Sequence, residues 1–164
     1  MHGSVATLDS KVESEREADM FAACLLMPEK QLKKDIFKRK FNFTLIDEVS
    51  RKYQVSATAT MLRFIALDHY PLMLVCSKAG KLKWFRYSED FRFHWLNLEI
   101  GNGIPINTCA GEYFEDGRKY NGTTETVFAE DWFKINHNYE RRQVFNEYCI
   151  YQDSLNQVIS LIWE

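Results

Sequence analysis

The residue that most demands a chemical explanation is Glu15, within Glu15 to Pro28, EREADMFAACLLMP. Residues three to four apart share one side of a helix, so Glu15 falls on the same stripe as Ala18, Ala22 and Leu25. An ionised carboxylate on a buried face is costly unless it is paired or holds a metal. The small side chains Ala18, Ala22 and Ala23 let a second helix approach closely enough for Glu15 to reach it. The plain alternative is an amphipathic helix whose edge carboxylate sits in water. A second chemical feature is the basic run Lys30, Lys33, Lys34, Lys38, Arg39 and Lys40. It reads as a solvated face, with Lys33, Lys34, Lys38 and Arg39 as the residues that would meet a phosphate or an acidic partner.

Other groups are less pointed. The cysteines, Cys24, Cys76, Cys109 and Cys149, follow no metal-ligand spacing and read as buried thiols of a reducing cytoplasm. His69, His94 and His137 lack a carboxylate or thiol at metal spacing and read as surface or hydrogen-bonded residues. GNG at Gly101 to Gly103 lacks the strand-to-helix context of a phosphate loop.

The pattern Glu15-x-x-Ala18-Asp19-x-Phe21-Ala22-Ala23-x-Leu25-Leu26-Met27-Pro28 resembles the segment that follows the HExxH helix in ImmA/IrrE-type zinc metallopeptidases. The resemblance implies a zinc held by the two HExxH histidines and a downstream glutamate, here Glu15. Relatives cleave helix-turn-helix repressor proteins. No HExxH occurs in this sequence, and upstream of Glu15 only His2 could be a fragment of one. HExxH supplies two ligands and the general base. The expectation is therefore a C-terminal portion of such a peptidase, its catalytic helix left out or lost, inactive by itself and binding no zinc alone. Its implied partners are a repressor-type protein, the missing catalytic segment or a second copy of the chain. The alternatives are a stand-alone regulatory module that binds protein or DNA, and a small-molecule sensor.

Composition sets the outer bounds. A chain of 164 residues, 46% hydrophobic and 15% aromatic, suffices for one domain or two small ones. Its net charge of -2 gives no global attraction to nucleic acid or an acidic membrane. No apolar run reaches the roughly 18 to 20 residues that span a bilayer, and no signal-peptide core is present.

These features predict an α+β chain with a tail over 1–9, a helical region over 10–67 and a strand-rich, mostly antiparallel region over 70–164. Ser10 and Glu13 form a capping box that starts a first helix, which Pro28 ends near Met27. Pro28 opens a second helix over Glu29 to Phe37. Thr44 and Ser56 cap a helix-turn-helix-like pair, Leu45 to Tyr53 and Ala57 to Leu67, with Leu45, Ile46, Val49, Ala59, Leu62, Ile65 and Ala66 inward. Only Arg63 is offered as a long cationic reader, too little for DNA readout. A hairpin follows: Leu72 to Cys76, a turn at Ser77-Lys78-Ala79-Gly80, then Lys81 to Tyr87. Further strands are expected at Leu96 to Ile100, Gly111 to Phe114, Thr124 to Phe128, Val144 to Ile150 and Gln157 to Trp163. By resemblance this half is a GAF-like sensor region, and its many aromatics form a core or line a ligand pocket.

Overall fold

The computed structural model describes residues 22–23, 25–136 and 142–164. His2, the Ser10 capping box, Glu15, Ala18, Cys24 and His137 lie outside them. The chain divides into two units, one ending at Arg63 and one running from Phe64 to Glu164. The fold class is α+β, as the patterning predicted.

In the first unit Ala22, Ala23, Leu25 and Leu26 are helical. Pro28 caps α1 (Glu29–Ile36) from an extended backbone, and its carbonyl accepts from the N–H of Leu32 at 2.9 Å. The helix buries Leu32 and Ile36, four apart, and turns its charges outward. α2 (Phe43–Tyr53) is capped by Asn42, whose side chain accepts from the N–H of Leu45 at 2.9 Å. The expected cap, Thr44, lies two residues further in, as the second residue of the helix. A left-handed Gln54 ends α2. Ser56 caps α3 (Ala57–Leu67), its hydroxyl accepting from the Ala59 N–H at 3.1 Å. α3 buries Thr60, Met61, Arg63, Phe64, Ile65 and Leu67 while Ala66 is exposed, so the inward face is rotated from the apolar stripe read off the sequence.

The second unit is built on five antiparallel strands in the order β2-β1-β5-β4-β3. β1 (Leu72–Lys78) and β2 (Lys81–Tyr87) form the expected hairpin. Ala79 and Gly80 turn it, both with left-handed backbones, as a two-residue hairpin loop requires. β3 (Glu125–Phe128), β4 (Val144–Gln152) and β5 (Gln157–Trp163) complete the sheet, β4 and β5 joined through a short 3-10 turn at Asp153–Leu155. β5 is central and buried along six consecutive positions, which explains its unbroken apolar run.

The stretch expected to be a strand at Gly111 to Phe114 is helical: α4 (Cys109–Asp116). Leu96 makes an isolated bridge to Phe133 instead of starting a strand. Ala129–Trp132 forms a single turn, α5. Residues of α4, α5 and the long β2–β3 connection pack on one sheet face around Met73, Val75, Phe145, Val158 and Ile162. The aromatics are core. Phe93, Phe133 and Phe145 lie with ring centroids 5.2–5.5 Å apart. No helix among the described residues is long and apolar enough to cross a membrane.

Candidate functional site

In the first unit, Ala23 and Met27 are buried, whereas Ala22, Leu25 and Leu26 are exposed, Leu25 at 63%. Two residues of the Glu15 stripe therefore face outward. Ala22 borders a groove of about 330 Å³ whose walls also include Leu26, Val55, Ala59 and Leu62.

Arg63, the only long cationic side chain of α3, is 7% exposed and donates from Nε to the carbonyl of Met27 at 3.1 Å. It ties α3 to the segment that ends before Pro28 and is not available to a base edge. A second tie is Asp35, which accepts from Lys52 Nζ and from the Tyr53 hydroxyl, each at 2.6 Å. Burial raises the Asp35 carboxyl, but the bonds from Lys52 and Tyr53 outweigh it and leave the pKa below the usual range. The same burial and the Asp35 bond push the Tyr53 hydroxyl up to about 12.

The basic residues nominated for a partner are all exposed. Lys33 pairs with Glu29 at 2.6 Å and Arg39 with Glu48 at 2.7 Å. Lys38 lies over the Phe37 ring at 5.3 Å. Lys34 sits in the last turn of α1, where a cation complements the helix dipole. Half of the set is thus engaged in local ion pairs that stabilise this surface modestly.

The second unit gathers residues that spacing did not announce. Strand alternation on β4 turns Phe145, Glu147 and Cys149 inward together. Thr108 caps α4, accepting from the Gly111 N–H at 3.0 Å while its own hydroxyl donates to the Pro105 carbonyl at 2.7 Å. Gly111 lets that loop close: a Cβ there would stand 1.9 Å from the Pro105 carbonyl oxygen. The result puts Cys109, first residue of α4, over β4. The ligand atoms of Cys109, Glu147 and Cys149 all lie within 4.8 Å of one another, and all three residues are buried.

Glu147 is held asymmetrically. Its Oε2 accepts from the Cys109 backbone N–H at 3.0 Å and from Trp132 Nε1 at 3.3 Å, whereas Oε1 receives only the Cys149 thiol, at 3.4 Å. The Cys149 sulfur also meets Ser160 Oγ at 3.3 Å, across the β4–β5 pair. Burial, contact with Cys109 and the charge of Glu147 push the Cys149 thiol well above its ordinary range. Beside it, Tyr151 is raised by burial and by Cys149, and its hydroxyl oxygen accepts from the Tyr120 N–H at 3.1 Å.

Residues 3–64 match the model of Peptidase_M78, described as the IrrE N-terminal-like domain, so this segment is similar to that of the ImmA/IrrE-type metallopeptidases. No curated protein matches the chain. Zinc is the metal of the family, but the residues present do not complete its ligand set. HExxH is absent from the sequence. Of the described histidines, His94 bonds the Glu89 carbonyl at 3.2 Å and stacks on Tyr87, and His69 stands edge-on to Tyr70. The cysteines did prove buried where described, at Cys76, Cys109 and Cys149.

Proposed function

We propose that this chain supplies the third-ligand helix and the C-terminal unit of an ImmA/IrrE-like zinc metallopeptidase, with Glu15 as the ligand. The HExxH comes from polypeptide preceding Glu15 or from another chain. The observation that carries this reading is the match over residues 3–64, which contains the Glu15-x-x-Ala18-Asp19-x-Phe21-Ala22 pattern. The outward-facing Ala22 and Leu25 support it, since in a relative with the full set the HExxH helix covers that stripe. One oxygen ligand does not hold zinc, and without a general base no peptide bond is cleaved, so the chain by itself has no Glu15-dependent metal and no peptidase activity. Repressor-type substrates and a cytoplasmic setting belong to the same reading. Incubating the chain and zinc with a helix-turn-helix repressor tests it. No cleavage is expected; zinc-dependent cleavage that disappears in Glu15→Ala contradicts it.

A second reading is favoured by Leu25 and Leu26, which are 63% and 56% exposed, Leu26 lining the groove. Apolar side chains clustered in this way mark an interaction surface. In this reading the chain is a regulatory module that pairs with itself along the alanine face. Light scattering distinguishes them: a dimer that Ala22→Arg makes monomeric supports self-pairing, and a monomer in both forms removes it.

A further inference from the structure

We propose that Cys109, Cys149 and Glu147 form a binding site for a thiophilic divalent cation of the zinc class, separate from the Glu15 site and independent of the peptidase reading. The sequence led to the expectation that the chain by itself binds no zinc, and this proposal departs from it, because the fold brings together a buried set from positions 40 apart in the sequence.

Three observations converge on a cation. The first is donor chemistry: two sulfurs and a carboxylate oxygen within 4.8 Å of one another, all buried, are a borderline-soft set that suits zinc rather than calcium or magnesium. The second is distance. A sulfur at ~2.3 Å and an oxygen at ~2.0 Å from a tetrahedral zinc stand ~3.5 Å apart. Cys149 Sγ and Glu147 Oε1 are 3.4 Å apart, so one edge of that tetrahedron already exists, and the Cys109 sulfur lies within 4.8 Å of both partners' ligand atoms. The third is orientation. Two N–H donors, from Cys109 and Trp132, tie Oε2 and leave Oε1 to the Cys149 sulfur. This is how outer hydrogen bonds aim a carboxylate ligand at a metal. Ser160 Oγ, fully buried, lies 3.3 Å from the Cys149 sulfur and supports it as a hydrogen-bond partner.

Charge is consistent with this occupant. Two thiolates and a carboxylate around a dication leave one net negative charge, and Cys109 sits at the first position of α4, where the helix dipole favours an anion. Trp132 is a positioning residue in this arrangement: it acts through Glu147 and does not touch the cation.

The experiment titrates the purified chain with cobalt(II) under a phosphine reductant, reading the near-ultraviolet thiolate-to-cobalt charge-transfer absorption. One equivalent with that band is expected, displaced by zinc, and it is absent in Cys109→Ser and Cys149→Ser while Glu15→Ala retains it. Trp132→Phe should weaken binding on the order of 10-fold with the band intact, as loss of an orienting partner does. Circular dichroism checks that each variant folds. Zinc should raise the melting temperature of the parent chain and not that of Glu147→Gln, which does not depend on the cysteine variants folding. A folded parent chain that takes up no cobalt, or takes it up without the band, overturns the proposal and leaves the triad as a hydrogen-bonded core network.

Discussion

Replacing Glu147 by alanine should be among the most damaging single changes in the second unit. The side chain is 1% exposed and accepts two N–H bonds and one thiol bond. Truncation strands the Cys109 and Trp132 N–H groups in the core, at roughly 1–3 kcal/mol each. It also opens a cavity, while relieving the desolvation of a buried charge. The net loss is about 2–4 kcal/mol, a large share of the 5–15 kcal/mol typical of a domain. Glu147→Gln keeps an oxygen for both N–H donors but puts an NH2 in place of the oxygen that accepts the Cys149 thiol, so about 1–2 kcal/mol is expected. Urea denaturation followed by far-ultraviolet circular dichroism, with a chelator present to remove any cation, measures both. Adding Trp132→Phe closes a double-mutant cycle, for which a coupling of about 1 kcal/mol is expected because the two groups share a bond. A Glu147→Ala chain as stable as the parent, or an additive cycle, refutes this account of the cluster.

Gly111→Ala places a Cβ 1.9 Å from a backbone oxygen, so α4 or the Pro105 turn must shift; a loss of about 1–3 kcal/mol in thermal unfolding is expected. In the first unit the Tyr53 hydroxyl, raised to about 12, contributes stability that is complete below its unfolded value near 10 and lost as pH rises from there through 12. NMR of the Tyr53 ring should show the high midpoint, and Asp35→Asn should lower it. Because Asp35 itself is depressed, the stability it contributes is present above its ordinary value and is lost as pH falls through the lower folded one. Arg63→Met removes the donor to the Met27 carbonyl and should cost about 1–2 kcal/mol in urea unfolding, while gel retardation at low salt shows the same DNA affinity as the parent.

The hairpin was legible because alternating runs flank a turn whose Gly80 accepts a left-handed backbone at little cost. The α2–α3 junction was legible because Ser56 stands directly before an apolar period. α4 was misread because Tyr113 and Phe114 carry strand propensity and Gly111 weakens a helix. Its true signals were Thr108 at the cap and Gly117, left-handed at the C-terminus. Neither the burial of Arg63 nor the meeting of Cys109 with Cys149 follows from local rules. Arg63 is buried because Met27, 36 positions away, offers a carbonyl. The two cysteines meet because a helix start crosses a strand. The segment that matches the family model was readable for a different reason: its residue types stand at set spacings from Glu15 to Pro28.

In the proposed function Glu15 completes a zinc site with an HExxH. Its most direct test is the metal content of the protein purified from its own cells through a tag after Glu164, compared with Glu15→Ala and with mass-spectrometric sequencing of every polypeptide recovered. The account predicts an HExxH in the same or a co-purifying polypeptide and one zinc lost on the Glu15 substitution, beyond any held by the cysteines. An HExxH absent from the recovered polypeptides, or a zinc content that Glu15→Ala leaves unchanged, contradicts it.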